Sequence, residues 1–279
     1  MKKAGPEKAA GKTQQIGIRE ELKPHLQTIQ FMNESTEDYL YLYDLLTDRI
    51  YFTDKVRERY PLPPAAENGY VLGDWRDIVY IRDHSILEQH LEQIRKGKKN
   101  TYHLEYRLID KAGNKVWVNS RGTAQVDKNG QPTILFGRVS ELALGYMVDR
   151  LTGLRNTDKF TLDMETCLKE SDGYLMILGI DNFKNINIKN GRTFGNHILK
   201  AVTEVLEDHS EYPLNLYRLG GDCFAVNFPQ KQQDYVLNFY HTIQKELEHQ
   251  CTVSAGVVAY QSSEAADSGA VYQLSLIHI

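Results

Sequence analysis

Between residues 102 and 118 the chain alternates apolar and polar side chains, with Tyr102, Leu104, Tyr106 and Leu108 against His103, Glu105 and Arg107. A period of two puts each set on its own face of a strand. The turn Ala112-Gly113-Asn114 and the resumed alternation of Val116 and Val118 make this an antiparallel pair. A second turn, Asp127-Lys-Asn129-Gly130, leads to Thr133-Ile-Leu-Phe136 and a further apolar pair, Val139 and Leu142. Upstream, Leu40 and Leu42 alternate between tyrosines, and Ile50-Tyr-Phe52 follows a Thr47-Asp48 turn, which reads as a hairpin. Ile78, Ile81, Ile86, Leu91 and Ile94 lie among charges at helical spacing. Residues 34–142 are therefore expected to form one antiparallel α+β unit. Before it, a polar lead ends in a short amphipathic helix carrying Leu22, Leu26, Ile29 and Met32, together 1–33.

The remainder, 143–279, has a different rhythm. After a turn-rich entry, Phe160, Leu162, Met164 and Leu168 suggest a helix. Tyr174-Leu-Met-Ile-Leu178 is an unbroken apolar run, as in a strand covered on both faces, and it ends at Gly179-Ile180-Asp181. A helix (Ile198, Leu199, Val202, Val205, Leu206), a hairpin (216–228), a second helix (Val236, Leu237, Tyr240, Ile243, Leu247) and a strand (252–260) follow. The order β-α-β-β-α-β is that of ferredoxin-like folds, whose helices cover one sheet face.

A chain of 279 residues has room for two such domains, and 41% hydrophobic with 25% charged residues is ordinary globular composition. A net charge of −4 argues against broad nucleic-acid binding, which needs a basic face. Cys167, Cys223 and Cys251 lack paired zinc-ligand spacing and fit a reducing, cytoplasmic compartment. The first 19 residues contain no apolar stretch of the length a signal peptide or membrane span needs. In the first unit, His84, His90 and His103 read as ordinary polar contacts rather than haem ligands. Residues 1–150 hold no Cys for a flavin adduct. Trp75 and Trp117 read as core residues without further function.

Residues 34–142 resemble the PAS sensor family, through Tyr106-Arg-Leu-Ile-Asp110, the Gly113 turn, Trp117-Val118 and Gly130 before the last strand. The family's Asp-Ile-Thr exit motif is replaced by Ser140-Glu141-Leu142, and the sensor's ligand stays unnamed.

The second unit carries, in order, Asp149-Arg-Leu-Thr-Gly-Leu-Arg-Asn156, Asp181-Asn-Phe-Lys-Asn-Ile-Asn187, the Gly-Gly hairpin Arg218-Leu-Gly-Gly-Asp-Cys-Phe224 and Thr252-Val-Ser-Ala-Gly-Val257. A Gly-Gly tip alone is an ordinary turn, but its backbone N–H groups can approach a phosphate. The four segments together resemble the GGDEF family of diguanylate cyclases, with a nucleotidyl-cyclase-like fold, which join two GTP into cyclic-di-GMP across a homodimer. That chemistry uses two divalent ions clamped by carboxylates. The resemblance places one metal Asp at Gly179 and the signature Glu at Cys223, so two carboxylates are missing. Asp222 and the backbone carbonyl of Ile180 remain as Mg²⁺ ligands, and Cys223 is a soft substitute. Asp181 together with Asp222 is an alternative one-metal set. The implied nucleotide positions are Phe183, Lys184, Asn187, Asn196 (an Asp in the family), Gly220 and Gly221, with Arg192 in place of a usual His. The Arg-x-x-Asp product-inhibition motif falls on Glu211-Tyr-Pro-Leu214 and is absent.

The segment Ala270-Val-Tyr-Gln273 only approaches the family's closing helix, and Leu274-Ser-Leu-Ile-His-Ile279 departs from it, so a truncated C-terminal end is expected. The resemblance implies a catalytically inactive, GTP-binding or partner-regulating module acting on an EAL-type phosphodiesterase domain. A weak diguanylate cyclase and a structural dimerisation module are the alternatives.

Overall fold

The computed structural model describes residues 18–64, 69–142, 147–211 and 215–262. The lead over 1–17, the junction 143–146, residues 212–214 of the segment Glu211-Tyr-Pro-Leu214, and the segments Ala270-Val-Tyr-Gln273 and Leu274-Ser-Leu-Ile-His-Ile279 lie outside the described residues.

In the first unit, β1 (Tyr39–Asp44), β2 (Arg49–Phe52), β3 (Tyr70–Val71), β4 (Thr101–Ile109), β5 (Lys115–Val126) and β6 (Pro132–Glu141) form one antiparallel sheet ordered β3-β2-β1-β6-β5-β4. The alternation read between 102 and 118 is the β4–β5 ladder, with Tyr106 opposite Val118 and Arg107 opposite Trp117. One face packs Tyr43, Leu104, Tyr106, Leu108 and Val118 under Trp75 and Ile78 of α3 (Leu72–Ile78) and Leu87, Leu91 and Ile94 of α4 (His84–Arg95). Besides the short α2 (Lys55–Arg59), helix α1 (Lys23–Asn33) covers part of the other face, where Leu22, Leu26 and Ile29 pack with Leu42, Ile134 and Phe136.

Side chains fill the interior of this unit. Trp75 stacks on Phe52 at 4.5 Å and donates to the Tyr106 hydroxyl at 3.3 Å, the Tyr41 and Tyr102 hydroxyls meet, and Tyr102 reaches Ser120 Oγ at 2.7 Å. The cavity left among them is about 20 Å³, room for roughly one water and far below the volume of a haem or flavin. His84 and His90 bond the carbonyls of Val79 and Ile86, at 2.9 and 2.8 Å.

In the second unit a sheet ordered β11-β8-β10-β9-β7 comprises β7 (Arg155–Asn156), β8 (Gly173–Ile180), β9 (Leu216–Gly220), β10 (Cys223–Pro229) and β11 (Val253–Tyr260). Strands β8 to β11 have the 4-1-3-2 order of a ferredoxin-like βαββαβ fold. Met176, Leu178 and Ile180 face Ile198, Val202 and Leu206 of α7 (Arg192–His209) and Val236, Phe239 and Ile243 of α8 (Gln233–Leu247). The expectation that helices cover a single face needs correction. Leu175 and Ile177 pack on the opposite face under Phe160, Met164 and Leu168 of α5 (Thr157–Glu170). Leu162, counted in that apolar stripe, is 48% exposed, because the stripe steps by four residues and leaves position 162 outside it. A helix not anticipated from the sequence, α6 (Phe183–Asn190), follows β8 directly.

The two units meet around buried charge. Arg107 donates to both Asp83 carboxylate oxygens, at 2.9 Å through Nε and 2.7 Å through Nη2, and its Nη1 donates to Glu207 on α7. All three side chains are fully buried. The second Glu207 oxygen accepts from Arg82 (2.8 Å), Lys115 (3.1 Å) and Tyr80 (3.2 Å). Burial alone would raise the Glu207 carboxyl, but Arg107 and Lys115 hold it below the ordinary range. Beside this cluster Trp117 lies between the guanidinium groups of Arg107 and Arg155, at 5.1 and 5.0 Å, and donates its indole N–H to the Gly153 carbonyl at 2.7 Å. Glu105 of β4 pairs with Arg155 (2.7 Å) and Lys159 (3.0 Å) of the second unit. Trp117 is thus core, as read, and also the hinge plate between units, which was not read.

Removing one partner of a buried ion pair typically costs about 3–5 kcal/mol, because the other charge is left unpaired and dry. Arg107→Met, which strands Asp83 and removes one of the three cations around Glu207, is expected to lose stability in that range on urea denaturation. A loss no larger than that of an exposed arginine would contradict the assignment.

Candidate functional site

Three of the motif segments of the second unit, 181–187, 218–224 and 252–257, meet at one end of its sheet, where β8 leaves into α6 and the β9–β10 hairpin turns. Gly220 and Gly221 adopt φ of +106° and +56°, and the positive φ at both residues favours glycine. Arg218 secures the turn from beneath. Its Nη1 donates to the Cys223 carbonyl at 2.8 Å, its Nη2 to the Gly221 carbonyl, and the guanidinium lies 4.8 Å from the Phe224 ring centre. Burial pushes this guanidinium below its usual pKa, against the counter-charge of Asp149.

Across the sheet at this end runs a single row: Ser254 opposite Gly179, Gly179 opposite Cys223, and Cys223 opposite Gly220. Directly opposed residues share a face, so the row offers one hydroxyl, one thiol and two glycines, and no carboxylate. The Cys223 thiol is pushed up by burial and by the neighbouring Asp222 charge, which keeps it protonated and unfit as a hard-cation ligand. The two remaining aspartates are tied to opposite sides of β8. Asp181 accepts from Ser254 Oγ at 2.7 Å and its N–H bonds the Thr252 carbonyl at 3.0 Å. Asp222 lends its carbonyl to the Ile180 N–H at 3.2 Å, and its carboxylate is the acceptor facing the Cys223 thiol at 3.8 Å. Among the described residues no group of three or more His, Cys, Asp or Glu could hold a metal ion. This donor set does not fit a two-Mg²⁺ centre.

The implied nucleotide residues border the same end. Lys184 is exposed on the first turn of α6, Asn196 is exposed near the start of α7, and Phe183 is half-buried against the core. Asn187 donates Nδ2 to the Phe183 carbonyl at 3.2 Å, and its carboxamide occupies the space a side chain on Gly195 would need. Gly195, missed in the sequence, is what lets α6 lie against α7. Arg192 is exposed at the α7 N-terminus. The entry motif, by contrast, builds a turn: Asp149 accepts from the Thr152 amide (2.8 Å) and hydroxyl (2.7 Å), which presents the Gly153 carbonyl to Trp117.

Residues 146–274 match the family model described as diguanylate cyclase, GGDEF domain, and residues 49–139 match that of the PAS fold. The chain is a PAS domain followed by a GGDEF domain. It is similar to diguanylate cyclase VdcA of Vibrio cholerae, 31% identical over 103 residues covering 37% of this chain and 30% of VdcA. It is also similar to diguanylate cyclase DgcS of Shewanella oneidensis, 30% identical over 101 residues covering 34% of each chain. The chain thus spans about a third of the length of these curated relatives. Among solved structures, the GGDEF domain of DgcB from Caulobacter crescentus in complex with c-di-GMP matches with a TM-score of 0.45 and 22% identity, over 49% of this chain and 86% of that one. No described helix of the PAS or GGDEF domain is long and apolar enough to cross a membrane.

Hydrogen bonds to a charged group contribute about 1.5–3 kcal/mol each, and the Arg218 side chain that makes them is buried. Arg218→Ala is expected to destabilise the GGDEF domain by roughly 2 kcal/mol and to speed amide exchange in the 219–223 turn selectively. Unchanged exchange in that turn would refute the role given to Arg218.

Proposed function

We propose that this chain is a cyclic-di-GMP signalling protein whose PAS domain governs a GGDEF domain that binds guanine nucleotide without converting it. The observation that carries this reading is the Ser254–Gly179–Cys223–Gly220 row, which has no carboxylate where GGDEF chemistry needs two. Each 1.4 kcal/mol of lost transition-state stabilisation lowers a rate about tenfold, and the missing metal clamp is worth several kcal/mol. What remains suits binding rather than turnover: an exposed Lys184 for phosphate charge, Asn187 and Asn196 for a base edge, and the open Gly220–Gly221 tip for backbone contact with phosphate.

The regulated partner in this reading is an EAL-type phosphodiesterase domain. A route from sensor to nucleotide end runs through α7, whose Glu207 is held by the PAS domain and whose first turns carry Arg192 and Asn196.

Titration of the chain with GTP, followed by chromatography of the same mixture with Mg²⁺ present, tests the reading. Saturable binding without cyclic-di-GMP is expected, weakened about tenfold, or ~1.4 kcal/mol, by Lys184→Ala. Cyclic-di-GMP that disappears with Asp222→Ala would overturn it in favour of a residual cyclase.

A further inference from the structure

Among the described residues the cavity within the PAS core is about 20 Å³, but the outer sheet face holds a larger space. Helix α1 covers one part of that face, around Leu42, Ile134 and Phe136, and the GGDEF domain is held at Arg107 and Trp117. Elsewhere on the sheet, beside α1, lies a groove of about 740 Å³, within the size range of small-molecule sites.

The groove is defined by one cross-strand row, in which Leu40 opposes Arg138, Arg138 opposes Arg121, and Arg121 opposes His103. Like charges placed directly opposite one another on a sheet face repel, and here three basic side chains stand in sequence on a chain whose net charge is −4. No Asp or Glu lines the groove, and His25 of α1 adds a fourth basic residue at its edge. The nearby acids are already engaged. Asp38 pairs with Arg138, and Glu105, two residues along from His103, is held by Arg155 and Lys159. Among the described residues Arg121 makes no ion pair, and its Nε donates only to Asn119 Oδ1 at 3.3 Å. Burial and the Arg121 charge hold the His103 imidazole below its ordinary pKa, as a positive local field would. The next row supplies Thr123 and Thr101 hydroxyls beside Phe136, and Ile29 and Met32 of α1 form an apolar wall.

We propose that this groove binds a small organic carboxylate with an apolar body, its carboxylate on Arg121 and the Thr123 and Thr101 hydroxyls, and its body between Met32, Ile29 and Phe136. A planar guanidinium pairs with a carboxylate through two parallel hydrogen bonds, and the unpaired charge of Arg121 is what the ligand neutralises. The site is independent of the nucleotide end of the GGDEF domain.

The test is calorimetric titration of the full chain with sodium octanoate, with 1-octanol and acetate as probes of the apolar and charged halves alone. Saturable one-to-one octanoate binding is expected, with both control probes at least tenfold weaker. Arg121→Glu is expected to weaken octanoate at least tenfold. Arg121→Ser, which also relieves the repulsion, is expected to keep or raise the ligand-free melting temperature while losing the octanoate-induced rise. Equal binding of octanol, octanoate binding unchanged by both substitutions, or a chain that dimerises through this face and excludes octanoate would each overturn the proposal.

Discussion

A guanidinium with no water around it must be matched by carboxylates, and Arg107 is matched from two directions: by Asp83 within its own domain and by Glu207 on α7 of the other. Because an unpaired buried charge is far more costly than an exposed one, the two domains are held in one arrangement rather than left to move on a linker. Trp117 extends the constraint, filling the space between Arg107 and Arg155 and fixing the Gly153 turn at the GGDEF entry. The same helix that receives the clamp runs 18 residues, about 27 Å at 1.5 Å per residue, to the end of the domain where Asn196 and Arg192 lie.

In the proposed reading the GGDEF domain keeps the architecture of its site while lacking the chemistry. The hairpin is still held by Arg218, the glycines still adopt positive φ, and α6 still packs on α7 through Asn187 and Gly195. These are interactions that fold and shape the site. Carboxylates at Gly179 and Cys223 would, in this reading, serve a bound metal rather than the fold. A protonated Cys223 packed against Asp222 is consistent with a position released from catalysis.

Much of this was legible in the sequence, for physical reasons that differ by element. The β4–β5 hairpin was readable because a period of two with a Gly113 turn admits one fold, and β8 because an uninterrupted apolar run needs cover on both faces. The cover itself, α5 on one face and α7 with α8 on the other, was only half inferred. The β-α-β-β-α-β order speaks of the helices inside it and is silent on one that precedes it. The reading of Gly179 and Cys223 as lost carboxylate positions rests on the resemblance alone. The roles of Arg107, Glu207 and Trp117 were not legible, because their partners lie far along the chain and each, taken alone, is an ordinary strand or helix residue. The filled PAS interior was likewise invisible, since tyrosines at alternate strand positions do not reveal that Tyr41 and Tyr102 meet across the sheet.

In the proposed reading the β11–β8–β10 row cannot hold the metal ions on which GGDEF chemistry depends. Electron paramagnetic resonance of Mn²⁺ titrated into the nucleotide-free wild-type chain, beside a Gly179→Asp, Cys223→Glu variant, addresses it directly. No protein-dependent Mn²⁺ signal is expected in the wild type, and one is expected in the variant. A wild-type chain that binds Mn²⁺ as tightly as the variant would contradict that reading.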